Sequence, residues 1–134
     1  MEFIEPYNIT ILVMGLAGLT FLLQLIIVDL VGIKTKHTTG HPITADHDNF
    51  LFRASRTISN SNESVSIFIL LVAFSILSSA NPQWLNISAI VYLVGRITHM
   101  LFYYFNLKLC RSISFAVSLL GLSAMFVAGM IQWL

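Results

Sequence analysis

Two stretches of about twenty residues run without a charged side chain, and they constrain the fold more than any other feature of the chain. They are residues 9–28 and 113–134. At about 1.5 Å per residue, a helix of that length crosses a hydrocarbon layer of roughly 30 Å. Residues 85–105 form a third such stretch, interrupted only by Arg96 and His99. Each stretch predicts a transmembrane helix, because backbone polar groups in lipid must pair within their own segment.

The fourth apolar stretch, residues 65–77, is too short to cross a membrane alone. It must extend backwards through polar residues 53–63, so we predict one helix from about Asn49 to Leu77 whose first half lines a polar cavity or projects from the bilayer. Residues 34–48, 78–82 and 106–111 carry turn-forming or polar residues and form the connections. The sequence thus predicts an all-α membrane protein, a four-helix transmembrane bundle with one domain over residues 1–134.

The composition agrees with a membrane protein and argues against a soluble domain, a nucleic-acid-binding protein and a disulfide-stabilised fold. Of the 134 residues, 57% are apolar and 10% charged, against roughly 25% charged residues in a soluble domain. A net charge of +1 provides no basic field for nucleic acid. The single cysteine, Cys110, excludes an intramolecular disulfide. The histidines and aspartates of the first connection match no metal-ligand spacing, so no metal site is predicted.

The placement of lysine and arginine predicts the orientation. These residues flank the first connection (Lys34, Lys36, Arg53 and Arg56) and the third (Lys108 and Arg111). The positive-inside rule then places both connections in the cytoplasm and both termini on the non-cytoplasmic side. Tyr7, Trp84 and Trp133 would form an aromatic belt at the outer interface. The small size favours a bacterial inner membrane over the endoplasmic reticulum.

Ionisable residues interrupt the predicted spans. Each costs at least about 2.5 kcal/mol at the centre of a membrane helix, so it needs a partner and usually has a function. Two stripes occur at helical spacing: Arg56, Asn60 and Glu63 on helix two, and Arg96, His99 and Tyr103 on helix three. By contrast, Gly15 and Gly18 on helix one predict only close packing of a neighbouring helix.

Helices two and three form an antiparallel hairpin in this prediction, so positions equidistant from the turn lie at equal depth. Glu63 is then level with Arg96, and we expect an ion pair between them, because a low dielectric demands a partner for each charge. Asn60 is level with His99, and Arg56 with Tyr103. The alternative is that these groups only hold the helices together. Six polar side chains exceed that need, which favours a functional site.

These stripes resemble the MAPEG family (membrane-associated proteins in eicosanoid and glutathione metabolism). Its helix-two signature is an arginine, an asparagine four residues later and a glutamate three further on, as in residues 56–63, and Phe68 follows as it often does in the family. Residues 95–103 and the pair Arg111–Ser112 resemble the branch of microsomal prostaglandin E synthase and microsomal glutathione transferase. The resemblance covers nearly the whole chain.

The chain departs from the family pattern at three places. Ile67 stands where a proline often precedes the phenylalanine, and Thr57–Ile58 stands where the family has Ala-His. Phe115 stands where the prostaglandin synthase branch has a tyrosine, which removes a hydroxyl near the expected thiol position. The resemblance therefore implies a general glutathione transferase or peroxidase and does not imply prostaglandin chemistry.

The resemblance implies a homotrimer in membrane lipid, with glutathione bound at each subunit interface on the cytoplasmic side. Such an enzyme stabilises the glutathione thiolate for attack on a lipophilic electrophile or a hydroperoxide, as in detoxification and eicosanoid metabolism. The expected binding residues are Arg56 and Lys34 (or Lys36) for the carboxylates, Asn60 and Glu63 for the ammonium with Arg96 holding Glu63, and His99 and Tyr103 for the peptide. Arg111 and Ser112 are the expected catalytic residues, at the beginning of helix four.

Two other functions remain open at this point. A small multidrug transporter also has four helices, but proton-coupled examples place a carboxylate in the middle of helix one, where this chain has Thr20 and Gln24. A non-catalytic, lipid-binding member, similar to the five-lipoxygenase-activating protein, would lack glutathione chemistry. The complete stripes together with Arg111–Ser112 favour the enzyme.

Overall fold

The computed structural model describes residues 2–134, and it is all-helical. Four long helices, α1 (Asn8–Lys34), α2 (Phe50–Leu77), α3 (Pro82–Tyr104) and α4 (Lys108–Met130), are accompanied by short 3-10 turns at Glu5–Tyr7 and Ile131–Trp133. All four helices are long and apolar enough to cross a membrane. The predicted four-helix transmembrane architecture is confirmed, and the chain is an integral, multi-pass membrane protein.

Side-chain caps fix where α2 and α3 begin. Asn49 Oδ1 accepts a hydrogen bond from the Leu51 amide at 2.9 Å, and Asn81 Oδ1 accepts bonds from the amides of Gln83 and Trp84 at 3.0 and 3.2 Å. An asparagine at this position satisfies amides that have no acceptor inside the helix. The predicted long α2, from about residue 49 to 77, is confirmed.

The ends of α1 and α4 were predicted less well. α1 continues to Lys34, and α4 already begins at Lys108, several residues before the uncharged stretch. Charged residues here were interpreted as connections. Long side chains such as Lys34 and Lys108 extend from a helix end towards water, so the helix itself continues past the apolar stretch.

The first three long helices end in the same tight turn. Lys36, Ser79 and Asn106 have left-handed φ angles of 54°, 57° and 58°. At Ser79, its own amide donates to Ile76 O at 3.0 Å and the Ala80 amide donates to Ser75 O at 2.9 Å. This pair of bonds defines a Schellman turn. The compact endings allow short connections between antiparallel neighbours.

Glycines bring α3 and α4 closest together. A Cβ added to Gly95 would lie 2.6 Å from the backbone nitrogen of Ser118, and one added to Gly121 would lie equally close to a backbone nitrogen of α3. Small residues permit such backbone contact between membrane helices. In contrast, a Cβ on Gly15 or Gly18 would meet nothing within 4 Å. Among the described residues of one chain, these two glycines meet no helix, so their packing stays a prediction.

Both termini lie at the α2–α3 end of the bundle. The Tyr7 hydroxyl donates to Ala80 O at 2.7 Å, and Trp133 Nε1 donates to Ser78 Oγ at 2.8 Å. The opposite end therefore carries the α1–α2 and α3–α4 connections, as an even number of crossings requires. Which end faces the cytoplasm stays a prediction from the lysines and arginines.

Candidate functional site

A pocket at the α3–α4 connection contains most of the predicted site residues. Its volume is about 230 Å³, and it is lined by Asn60 of α2, His99 and Tyr103 of α3, and Arg111, Ser112 and Phe115 of α4. Five of these six residues were predicted as site residues. Three helices therefore contribute to one concave surface, whereas the prediction considered mainly a seam between α2 and α3.

Arg111 and Tyr103 form the charged wall of this pocket. The guanidinium carbon of Arg111 lies 4.6 Å from the centre of the Tyr103 ring, within the range of a cation–π contact. Arg111 Nη1 is buried and has no hydrogen-bond partner within residues 2–134. A buried donor of this kind can be satisfied by an anionic or acceptor group of a ligand.

His99 lies next to Tyr103 and Phe115 in the same pocket. Its ring meets the Tyr103 ring edge-on, with centroids 5.1 Å apart, and the Phe115 ring at 5.9 Å. His99 is buried, and its Nδ1 also has no partner in the described part of the chain. The pocket thus combines a cation with an imidazole whose buried Nδ1 has no hydrogen-bond partner among residues 2–134.

Arg111 and Ser112 do not lie at the start of α4, and that part of the prediction is wrong. The helix begins at Lys108, and the Arg111 amide already donates to Leu107 O at 3.1 Å. The Ser112 hydroxyl donates to Lys108 O at 3.2 Å. The unpaired amides belong to the preceding turn, and the helix dipole weakens beyond it. The guanidinium is therefore the main positive group facing the pocket from α4.

Arg96 has a different environment from the one predicted. Its side chain is 1% exposed, and Nη2 donates to Ser61 Oγ at 3.1 Å. Ser61 Oγ in turn donates to Gln24 Oε1 of α1 at 2.7 Å. Arg96 Nε and Nη1 have no partner in residues 2–134, and Glu63 is exposed. The predicted ion pair between Glu63 and Arg96 is not formed within the chain.

The rotation of α2 explains this difference. Its buried face consists of Leu51, Ala54, Thr57, Ser61, Ser64, Phe68, Val72 and Ser75. At 3.6 residues per turn, the stripe of Arg56, Asn60 and Glu63 is centred roughly 125° around the helix from that face. Ser61 therefore faces Arg96, while Glu63 faces outwards. The register of the hairpin determines the depth of a residue in the membrane. The direction of its side chain around the helix axis depends on how the helices pack.

The remaining predicted binding residues lie outside the pocket of their own chain. Arg56 is half-buried, and its carbonyl accepts a hydrogen bond from Asn60 Nδ2 at 2.8 Å. Lys34 is the exposed last residue of α1. Neither residue lines the 230 Å³ pocket, and nor does Glu63.

One residue that contacts a residue of the pocket was not predicted. His47, in the connection between α1 and α2, has its ring nearly parallel to that of Tyr103, at an angle of 23° with centroids 6.4 Å apart. In the sequence it is a histidine among polar loop residues, and no local pattern indicates an inward direction. Its contact with α3 becomes visible only once the loop is folded.

A larger cavity, of about 590 Å³, lies at the opposite end of α3 and α4. Its lining is mainly apolar, with Trp84, Val127 and Ile131 exposed around small alanines, and it contains no titratable side chain. It offers volume without reactive groups, so the smaller pocket is the candidate site.

A comparison with known protein families finds a match over most of the chain. The MAPEG family matches residues 9–131, a range that includes all six residues of the pocket. A comparison with curated proteins finds no match. Because the family match covers nearly the whole chain and extends across all four transmembrane helices, the chain belongs to the MAPEG family.

Proposed function

We propose that the protein is a membrane-bound glutathione transferase that acts on lipophilic electrophiles. The observation that carries the proposal is the guanidinium of Arg111, which is held over Tyr103 in a pocket shared with His99 and has a buried donor with no partner among residues 2–134. Membership of the MAPEG family supports a function related to glutathione or eicosanoids. Some members are not catalytic, so the activity rests on this geometry.

The residues present fit glutathione. The ligand carries two carboxylates, an ammonium and a thiol, and the unpaired atoms Arg111 Nη1 and His99 Nδ1 are the kind of groups that its acceptors and donors would satisfy. When bound, glutathione supplies the thiol nucleophile. The other groups of glutathione keep the partners that the family resemblance implies. Arg56 and Lys34 would bind the carboxylates. Asn60 and Glu63 would bind the ammonium, and His99 and Tyr103 would bind the peptide.

Arg111 is assigned the task of stabilising the thiol in its anionic form. An ordinary thiol has a pKa near 8.5, and lowering it by about two units takes roughly 2.7 kcal/mol of preferential stabilisation. A hydrogen bond to a charged group contributes about 1.5–3 kcal/mol, so one guanidinium nearly suffices. Ser112 could add a second donor only by releasing Lys108 O, to which it is bound at 3.2 Å.

The proposal includes a homotrimer, which the family resemblance implies, and two observations support contact with at least one further copy. Glu63 lies midway along α2 and is exposed in the single chain, which in hydrocarbon would cost at least about 2.5 kcal/mol. The 230 Å³ pocket is also smaller than the roughly 300–1,000 Å³ of typical ligand sites. A second copy packed against the outer face of α2 would cover Glu63 and complete the site.

The remaining features of the proposal rest on the sequence prediction and on the family resemblance. The whole chain acts as one domain, the termini lie on the non-cytoplasmic side, and the glutathione sites open towards the cytoplasm. The protein resides in a bacterial inner membrane. Protease accessibility of tags on the two termini in intact and inverted vesicles tests the orientation, and the mass of the protein–detergent complex tests the trimer.

The activity is tested with purified protein, glutathione and a generic aromatic electrophile, with hydroperoxide reduction as a parallel assay. We expect conjugation, and we expect Arg111→Ala to reduce kcat about 100-fold, the equivalent of about 2.7 kcal/mol. Thermal stabilisation by glutathione should persist in that variant. Lys108→Ala is the matched control, since Lys108 is an exposed cation on the same helix.

Two outcomes would overturn the proposal. If the wild-type protein is neither stabilised by glutathione nor active, it is not a glutathione enzyme, and a lipid-binding role or transport would replace the assignment. If Arg111→Ala loses binding and turnover to the same extent, Arg111 holds the ligand and does not act selectively on the thiol.

A further inference from the structure

The loop that precedes α2 holds His47 against the pocket. His47 is half-buried, whereas its neighbours Asp46 and Asp48 are exposed. Its ring stacks on Tyr103, with centroids 6.4 Å apart, and meets the Phe52 ring edge-on at 5.1 Å. His47 thus turns inwards between an aromatic residue of α2 and one of α3.

Hydrogen bonds fix the backbone of this short segment. Arg53 Nη1 donates to the carbonyls of both His47 and Asp48. The Asp48 amide donates to Asp46 Oδ1 at 2.9 Å, and the Asn49 amide donates to Asp46 O at 3.2 Å. The ring of His47 is therefore presented from a constrained backbone and is not at the tip of a free loop.

Arg111 depends on Tyr103 for its position. No hydrogen bond joins the Arg111 side chain to another residue in the described part of the chain, and the contact that it does make is with the face of the Tyr103 ring, at 4.6 Å. The Tyr103 ring is in turn contacted by His99 from α3 and by His47 from the loop. A change in the loop is therefore transmitted to the guanidinium through one aromatic ring.

We propose that His47 is a positioning residue of the glutathione site, which holds Tyr103, and through it Arg111, in the orientation that stabilises the thiolate. This inference rests on the proposed function. His47 does not line the pocket and is not expected to contact glutathione. Its loss should therefore reduce thiolate formation more than glutathione affinity.

The experiment compares three variants of the full-length protein in detergent. His47→Ala removes the ring, His47→Phe keeps a planar ring, and His41→Ala is the control, because the His41 side chain is exposed in the same loop. Ultraviolet absorbance of the bound thiolate is recorded against pH, and glutathione affinity is measured by calorimetry. We expect His47→Ala to reduce the thiolate fraction at neutral pH about fivefold, the effect of roughly one cation–π contact. Affinity should change little, and His47→Phe and His41→Ala should resemble the wild type.

The positioning claim would fail if His47→Ala formed thiolate as the wild type does, or if His47→Phe were as defective as His47→Ala. Glutathione-free protein provides an independent check, because the melting temperatures of His47→Ala, Tyr103→Leu and the double variant measure the contact without ligand. Additive shifts would refute the contact. Non-additive shifts in a protein that does not bind glutathione would refute the proposed function alone.

Discussion

Replacing Gly95 with alanine tests whether the separation of α3 and α4 controls the site. The new Cβ would lie 2.6 Å from the backbone nitrogen of Ser118 and 2.9 Å from its Cα, and backbone atoms cannot rotate away. Ordinary contact begins at 3.4 Å. The two helices must therefore move apart by about 0.8 Å at this crossing, the kind of overpacking that costs roughly 1–3 kcal/mol.

The same displacement reaches the pocket. Tyr103 belongs to α3 and Arg111 to α4, and their cation–π distance is 4.6 Å. If the helices move as rigid bodies and the displacement lies along this contact, the distance grows to about 5.4 Å, close to the limit of about 6 Å for such contacts. Because a misplacement of about 1 Å in a site can reduce the rate about 100-fold, we expect kcat for glutathione conjugation to fall between roughly 10- and 100-fold.

The assay combines the conjugation rate with the melting temperature in detergent. Gly15→Ala is the matched control, since a Cβ there meets nothing within 4 Å and alanine favours the helix by up to about 1 kcal/mol. We expect Gly95→Ala to lose both stability and activity, and Gly15→Ala to retain both. Wild-type activity and stability in Gly95→Ala, or equal damage in both variants, would refute the reasoning from helix separation.

Three further substitutions test separate parts of the structure. Phe115→Tyr places a hydroxyl in the pocket. It should raise the conjugation rate by up to about tenfold, since one hydrogen bond contributes roughly 0.5–1.5 kcal/mol. An unchanged or lower rate would contradict a role for a hydroxyl at this position. Ser79→Gly relieves a left-handed φ of 57° and should raise thermal stability by about 1 kcal/mol; a lower melting temperature would argue against the turn. Arg96→Met removes a buried cation with a single hydrogen bond, so the melting temperature should be equal or higher; a decrease of several degrees would show that Arg96 is paired in the native assembly.

The positions of the helices along the chain could be predicted because they depend on local residues. The uncharged stretches required membrane spans, and α2 begins where it was predicted, next to Asn49. The start of α3 at Pro82 was not predicted, because Pro82 was assigned to the connection before it. The start of α4 was misplaced because Lys108 and Arg111 indicate water, whereas a helix continues through the interface with its charged side chains extended. Hydropathy locates the hydrocarbon layer and does not locate the end of a helix.

The composition of the site could be predicted only in part, because helix rotation and non-local contacts decide it. Equal distance from the α2–α3 turn placed Glu63 and Arg96 at one depth but did not determine their directions. Gly95 and Gly121 lie where α3 and α4 approach each other closely, but a glycine alone does not identify such a site, since Gly15 and Gly18 meet no neighbouring helix within the described residues. His47 had no such signal, because its contact depends on the path of a loop.

The polar residues of α2 divide into two sets by direction. Ser61, Ser64 and Ser75 face inwards and reach groups on the other three helices: Gln24 Oε1, the Tyr92 hydroxyl and Met125 O. A hydroxyl is small and neutral, so one partner of this kind satisfies it inside the bundle. Arg56 and Glu63 belong to the other stripe, and a charge can be neutralised in a membrane only by water, an opposite charge or a ligand. Hydroxyl groups therefore link α2 to the other three helices, while Arg56 and Glu63 lie on a different face of α2. The binding roles proposed for Arg56 and Glu63 rest on this difference in direction and not on the number of polar residues.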